Sequence, residues 1–143
     1  MSTYLINHLR IPGDVPNEAS LSYLEQVEAT VKPFGGKWLA QGQVQVVEGS
    51  WPGSVVLMEF PDSTQLKNWY DSAAYQKILH LRVENAISDL IIIDGLDADF
   101  SVAGFAKQIR ASLLSSKKVD WRPLTSKLDQ KRSKNCDWSS RPV

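Results

Sequence analysis

The chain has 143 residues, with 16 Lys+Arg against 16 Asp+Glu, 43% apolar residues and 22% charged ones. That composition excludes a disordered or fibrous chain and suits one soluble globular domain, long enough to bury roughly two-thirds of its unfolded surface without metal or disulfide staples. The longest strongly apolar run, Leu90-Ile91-Ile92-Ile93, falls far short of the ~20 residues of a bilayer span. Cys136 has no second cysteine to pair with, and the N-terminus lacks a basic stretch followed by an apolar one, so a cytoplasmic protein without a secretory leader is expected.

Residues 3–11 read as a first strand, with Tyr4, Ile6 and His8 on one face and Leu5, Asn7 and Leu9 on the other. Pro12-Gly13-Asp14 ends it with turn chemistry. Asn17 is placed to cap a helix carrying Leu21, Leu24, Val27, Glu28 and Val31 at helical spacing, and Gly35-Gly36 stops that helix. Residues 37–48 read as a second strand, with Gly42 marking a bulge or a close backbone approach. Residues 54–60 form a third strand, and residues 63–85 are helical with a kink near Asp71-Ser72, Ser72 capping the second piece. Within that piece Tyr75, Leu79, Arg82 and Ala86 share a face. Residues 87–94 make a fourth strand, closed by Gly95.

The order strand, helix, strand, strand, helix, strand is that of an α+β, ferredoxin-like βαββαβ fold with a four-stranded antiparallel sheet. Right-handed crossovers put both helices on one face of the sheet. The other face is then bare, and the third strand shows why that matters. Val55, Leu57 and Glu59 point one way and Val56, Met58 and Phe60 the other, so both faces are largely apolar. A second copy placed sheet to sheet is the economical cover, and a homodimer is expected.

A domain over residues 1–98 is thus followed by an extension over 99–143. Val102, Phe105, Ile109 and Leu113 predict a helix at about 100–114. Residues 1–116 hold 8 basic and 13 acidic residues, whereas 117–143 hold 8 basic and 3 acidic. Trp121 and Trp138 within this basic tail call for apolar surface to dock against, on the body or on a partner subunit. Nucleic acid is not the expected partner, because no reading module accompanies the charge.

The run Glu48-Gly49-Ser50-Trp51-Pro52-Gly53, then Glu59-Phe60-Pro61, Trp69-Tyr70-Asp71-Ser72-Ala73-Ala74-Tyr75-Gln76 and Leu81-Arg82, resembles the small bacterial proteins called domain of unknown function 1330. The resemblance covers residues 3–96. It implies a dimeric α+β barrel, a superfamily that includes cofactor-independent monooxygenases, dye peroxidases and small isomerases. It implies no particular chemistry, and the tail after residue 100 departs from the usual short form.

Glu59 is the first candidate catalytic residue, a carboxylate in an apolar strand that needs a partner if buried; Arg82 is one possible partner, and a structural ion pair is the plainer role. His8, expected on the same face, would make a proton-transfer pair with Glu59 if the two met. Trp69, Tyr70, Tyr75 and Arg82 are candidate ligand-binding residues that would wall an aromatic pocket, or else form helix-to-sheet core. His80 falls off the apolar helix face. Two histidines and one cysteine do not make a metal centre, and no phosphate-cradling loop or nucleophile elbow is present, so no metal or cofactor is expected. The expected function is a homodimeric binding or assembly module for an unidentified ligand, with a cofactor-independent enzyme acting on a small organic molecule as the alternative.

Overall fold

The structure, a computed structural model, describes residues 1–115. Trp121, Trp138, Cys136 and the basic tail lie outside the described residues. Residues 1–95 form one compact unit, and the chain from Leu96 onward belongs to a second.

In the first unit β1 (Thr3–Arg10) leads through a short turn to α1 (Glu18–Val31), then β2 (Lys37–Gln43), β3 (Ser54–Phe60), α2 (Ser63–Asp71), α3 (Ala73–Val83) and β4 (Ile87–Asp94). The strands make one sheet in the order β2-β3-β1-β4, every neighbour antiparallel. That order, with both crossovers helical, is the ferredoxin-like fold. Register sorts the side chains. Leu5 lies opposite Met58 and Ile92, and Asn7 opposite Val56 and Leu90, on the face toward the helices. Tyr4 lies opposite Glu59 and Ile93, and Ile6 opposite Leu57 and Ile91, on the other face.

The caps follow local chemistry. The Asn17 side chain accepts from Ser20 N at 2.9 Å and starts α1. Ser72 adopts an extended conformation, accepts from Tyr75 N, and splits the second helical stretch into α2 and α3. Gly35, at φ 73°, ends the turn after α1, and Gly36 packs so closely that an added Cβ would stand 2.4 Å from Val31 Cγ1 and 2.6 Å from Phe60 Cε1. The core lies between sheet and helices, where Val31, Phe60, Leu66, Trp69 and Tyr75 are buried.

Three expectations change. β2 stops at Gln43 rather than at residue 48, because β3 begins at Ser54 opposite Gln43 and offers nothing further to pair with. The irregularity in β2 falls between Trp38 and Ala40, not at Gly42. In α1 the buried residues are Ser20, Val27 and Val31, while Leu21 and Leu24 are exposed. At about 100° per residue Ser20, Val27 and Val31 share one side, and Leu21 sits about 120° away from Val27.

In the second unit α4 spans Val102–Leu114, with Ser101 Oγ accepting from Gly104 N at 3.0 Å. Among the described residues no helix is long and apolar enough to cross a membrane.

Candidate functional site

The helix-facing side of the sheet does not close completely against the helices. Between them lies a cavity of about 80 Å³, walled by Leu5, Val56 and Leu90 from the sheet and by Val27, Trp69 and Tyr75 from the helices. Its walls are mostly apolar, but six polar side chains reach it: Asn7 from β1, Ser20 and Tyr23 from α1, Gln41 from β2 at the rim, and Tyr75 and Arg82 from α3. Arg82 is the one residue of the lining with a formal charge.

Each is there for a local reason. Asn7 alternates with Leu5 and Leu9 and so must point inward. Ser20 and Tyr23 lie on the buried side of α1. Tyr75 and Arg82 are two turns apart on α3 and so stack along one face. Arg82 is 4% exposed, Asn7 6% and Ser20 8%.

Arg82 Nε donates to Tyr75 Oη at 3.3 Å, and Tyr75 Oη lies 3.0 Å from Tyr23 Oη. The Tyr23 hydroxyl is also near enough to interact with the guanidinium, but Nη1 and Nη2 complete no hydrogen bond among the described residues, and neither do Asn7 Oδ1 or Ser20 Oγ. Burial, reinforced by the neighbouring Tyr75 hydroxyl, holds the phenol proton of Tyr23 on far above its ordinary value, against the opposing pull of Arg82. For Arg82 burial works against the charge, and Tyr75 and Tyr23 pull the other way as phenolates, which form only at high pH; at neutral pH the guanidinium keeps its proton beside neutral hydroxyls rather than a counter-charge.

Trp69 is locked beneath the cavity. Its Nε1 donates to Thr30 Oγ1 at 3.0 Å, and its ring packs 4.2 Å from Tyr75 and 5.4 Å from Phe60, centroid to centroid. Tyr70 is buried against Trp69 and Tyr75 but does not line the cavity. Outside, a groove between α1 and β2 shares Leu24, Val27, Trp38 and Gln41 with the cavity and gives onto it.

Glu59 and His8 lie on the opposite face of the sheet. Glu59 pairs with Lys37, Nζ to Oε1 at 3.2 Å, and Arg82 is across the sheet from it. His8 is four strand positions from Tyr4, the residue opposite Glu59, which puts the two side chains about 13 Å apart. The structure therefore does not bring His8 and Glu59 together. His8 instead stacks on Trp51 with centroids 4.2 Å apart, and its Nε2 meets the Pro52 carbonyl. Its Nδ1 then accepts from Arg10, at 3.5 Å, and Arg10 in turn pairs with Asp89. His80 is exposed. Among the described residues no group of three His, Cys, Asp or Glu side chains is arranged to hold a metal ion.

Asn7, Ser20 and Tyr23 were not singled out from the sequence. Asn7 could have been, as the polar member of an apolar alternation on the face that carries the helices. Ser20 and Tyr23 could not, because small or aromatic polar residues beside Leu24 and Val27 do not stand out from the apolar stripe, which Leu21 broadens toward solvent.

The fold and this interior cavity together define a ferredoxin-like α+β protein with a small, partly polar space between sheet and helices. The chain belongs to the family described as Domain of unknown function (DUF1330), which matches residues 2–96. No curated protein matches the sequence. Among solved structures, a protein of unknown function from Rhodopseudomonas palustris is similar at 20% identity and a TM-score of 0.56, covering 67% of this chain and 83% of its own. A cofactor-independent oxygenase from Streptomyces nogalater gives 7% identity and a TM-score of 0.48 over 70% of this chain and 97% of its own. A dimeric ferredoxin-like protein of unknown function from Jannaschia sp. gives 9% and 0.47 over 66% and 100%. The likeness to the Rhodopseudomonas palustris protein is one of fold.

Proposed function

We propose that the chain is a cytoplasmic small-molecule-binding protein whose ligand occupies the cavity between sheet and helices, and that it works as a homodimer joined through the outer sheet face. The observation that carries the reading is the cavity itself: apolar walls with a few inward-pointing polar groups, the composition of a ligand site rather than of a packing defect. Its volume is about half the ~150 Å³ of an apolar protein cavity that binds benzene, so the ligand is a small organic molecule, admitted past Leu24 and Trp38. The dimer is supported by Ile87, Ile91 and Ile93, each more than half exposed on the outer face, a surface that association would remove from water.

Tryptophan fluorescence tests the cavity, because Trp38 and Trp69 both line it. Propanol, propionamide and propionate, each with fewer heavy atoms than benzene, are the probes. A saturable change in emission with at least one of them is expected, and it should vanish in Ala86→Phe, which fills the space, with circular dichroism as the control for folding. A change that survives Ala86→Phe unaltered would place binding elsewhere.

A second reading, a cofactor-independent enzyme acting on a small organic molecule, uses the same cavity. It is favoured by the chain from Arg82 through Tyr75 to Tyr23, which fixes hydroxyl protons beside a bound molecule. Turnover lost in Tyr75→Phe with probe binding retained would select it.

A further inference from the structure

We propose that the ligand of this cavity is a small organic carboxylate, seated with its charged end on the guanidinium of Arg82. This rests on the cavity reading above and deepens it from a space to a chemistry.

The first support is electrostatic. A guanidinium cannot shed its proton in a protein, so Arg82 carries a full positive charge at 4% exposure. No carboxylate lies among the cavity-lining residues, and Arg82 makes no ion pair among the described residues. A buried charge without a counter-charge is strongly unfavourable, and natural interiors pair such groups. A water molecule in the cavity would satisfy hydrogen bonds but leave the charge uncompensated. An anion from outside does both.

The second support is the direction of the unused hydrogen bonds. Nη1 and Nη2 of Arg82 are donors. Tyr75 and Tyr23 bring two hydroxyl protons to a contact that uses one, so one phenol proton is left over whichever residue donates. Ser20 adds a hydroxyl. Against these donors stand Asn7 Oδ1, which can only accept, and the lone pairs of the Ser20 hydroxyl. A donor-rich pocket complements an acceptor-rich ligand. The Asn7 acceptor adds a preference for a carboxylate that also bears a hydroxyl or N–H group.

The third support selects carboxylate over phosphate. One guanidinium balances one negative charge, and its two Nη groups match the two oxygens of a carboxylate side by side. A phosphate dianion would bring more charge than the lining neutralises. The remaining walls, Leu5, Val56, Leu90 and Trp69, suit the short apolar body of such an acid.

Calorimetric titration of the full chain with propionate, the neutral propionamide and the cationic propylamine, each with fewer heavy atoms than benzene, tests the inference. Propionate is expected to bind about tenfold to a hundredfold more tightly than propionamide, the range of a hydrogen bond to a charged group, and propylamine not at all. Arg82→Gln is expected to abolish the preference for propionate over propionamide. Arg82→Lys should keep part of the preference, since the charge remains and the two-pronged geometry is lost. Equal binding of propionate and propionamide would overturn the carboxylate and leave the cavity standing as a neutral site. Binding of none of the three would overturn both.

Discussion

The two faces of the sheet carry similar numbers of polar side chains and treat them in opposite ways. On the outer face each charged group has a counter-charge or a polar or aromatic contact, Glu59 with Lys37, Arg10 with Asp89, His8 with Trp51 and the Pro52 carbonyl, although Arg10 Nε has no hydrogen-bond partner among the described residues. On the inner face Arg82, Asn7 and Ser20 are nearly sealed from solvent and left incomplete. Groups that are satisfied within the chain have a structural account already. Groups that are buried and unsatisfied lack one, and that asymmetry directs attention to the inner face.

The sharpest way to break the comparison is to truncate one apolar residue on each side. Phe60→Ala, at a buried inner position, is expected to lower the unfolding free energy by about 3–5 kcal/mol. Ile91→Ala, at an exposed outer one, should cost no more than about 0.5 kcal/mol in dilute solution. Urea unfolding measures both. If Ile91→Ala costs as much as Phe60→Ala at every protein concentration, the outer face is not the open surface described. Ile91→Asp examines the same face from another side. It should weaken self-association by about tenfold or more in sedimentation equilibrium, since a charge placed in an apolar contact is left unpaired.

Tyr23 supplies a pH signature of the inner face. Its phenol proton is held on in the folded state well above the ordinary value of 10.0. An unfolded chain gives up that proton near pH 10, so above that pH the native state binds more protons than the unfolded one and stability falls as pH rises. Stability measured from pH 8 to 11 should therefore decline less steeply in Tyr23→Phe than in the wild type. Parallel profiles would mean the hydroxyl is not buried as described. The smallest effect belongs to the outer face: Glu59→Gln removes a half-exposed ion pair and should cost about 1 kcal/mol or less.

Much of the fold was legible because period-2 and period-3.6 patterns are strong in this chain. The four strands, the Asn17 cap and the break at Ser72 all follow from residues whose backbone preferences agree with their neighbours. The end of β2 was not legible. Val44–Glu48 continues to read as strand, and only the position of Ser54 on the neighbouring strand ends the pairing. The site was half legible. Trp69, Tyr75 and Arg82 stand out as aromatic and charged residues on one helical stretch, and all three line the cavity. Glu59 stood out for the same reason that made it uninformative: a charge in an apolar strand is conspicuous in sequence, and its partner Lys37 is not. Asn7 drew no attention among Leu5, Leu9 and Ile11, although its face of β1 is the one the helices cover. Which face a strand residue serves is a tertiary fact, set by the crossovers, and it decides here between a surface ion pair and a buried, unpaired group.

The most direct test of that distinction is the stability of the ligand-free Arg82→Met protein. A residue kept for structure would leave a hole in the energetics when removed. A charge kept for a ligand costs the empty protein stability, and an apolar side chain of similar length relieves that cost. Urea unfolding of Arg82→Met without ligand is predicted to give a free energy equal to or above that of the wild type. A loss of about 3 kcal/mol or more, the penalty for breaking a buried pair, would show that Arg82 is satisfied within the chain and would contradict the account.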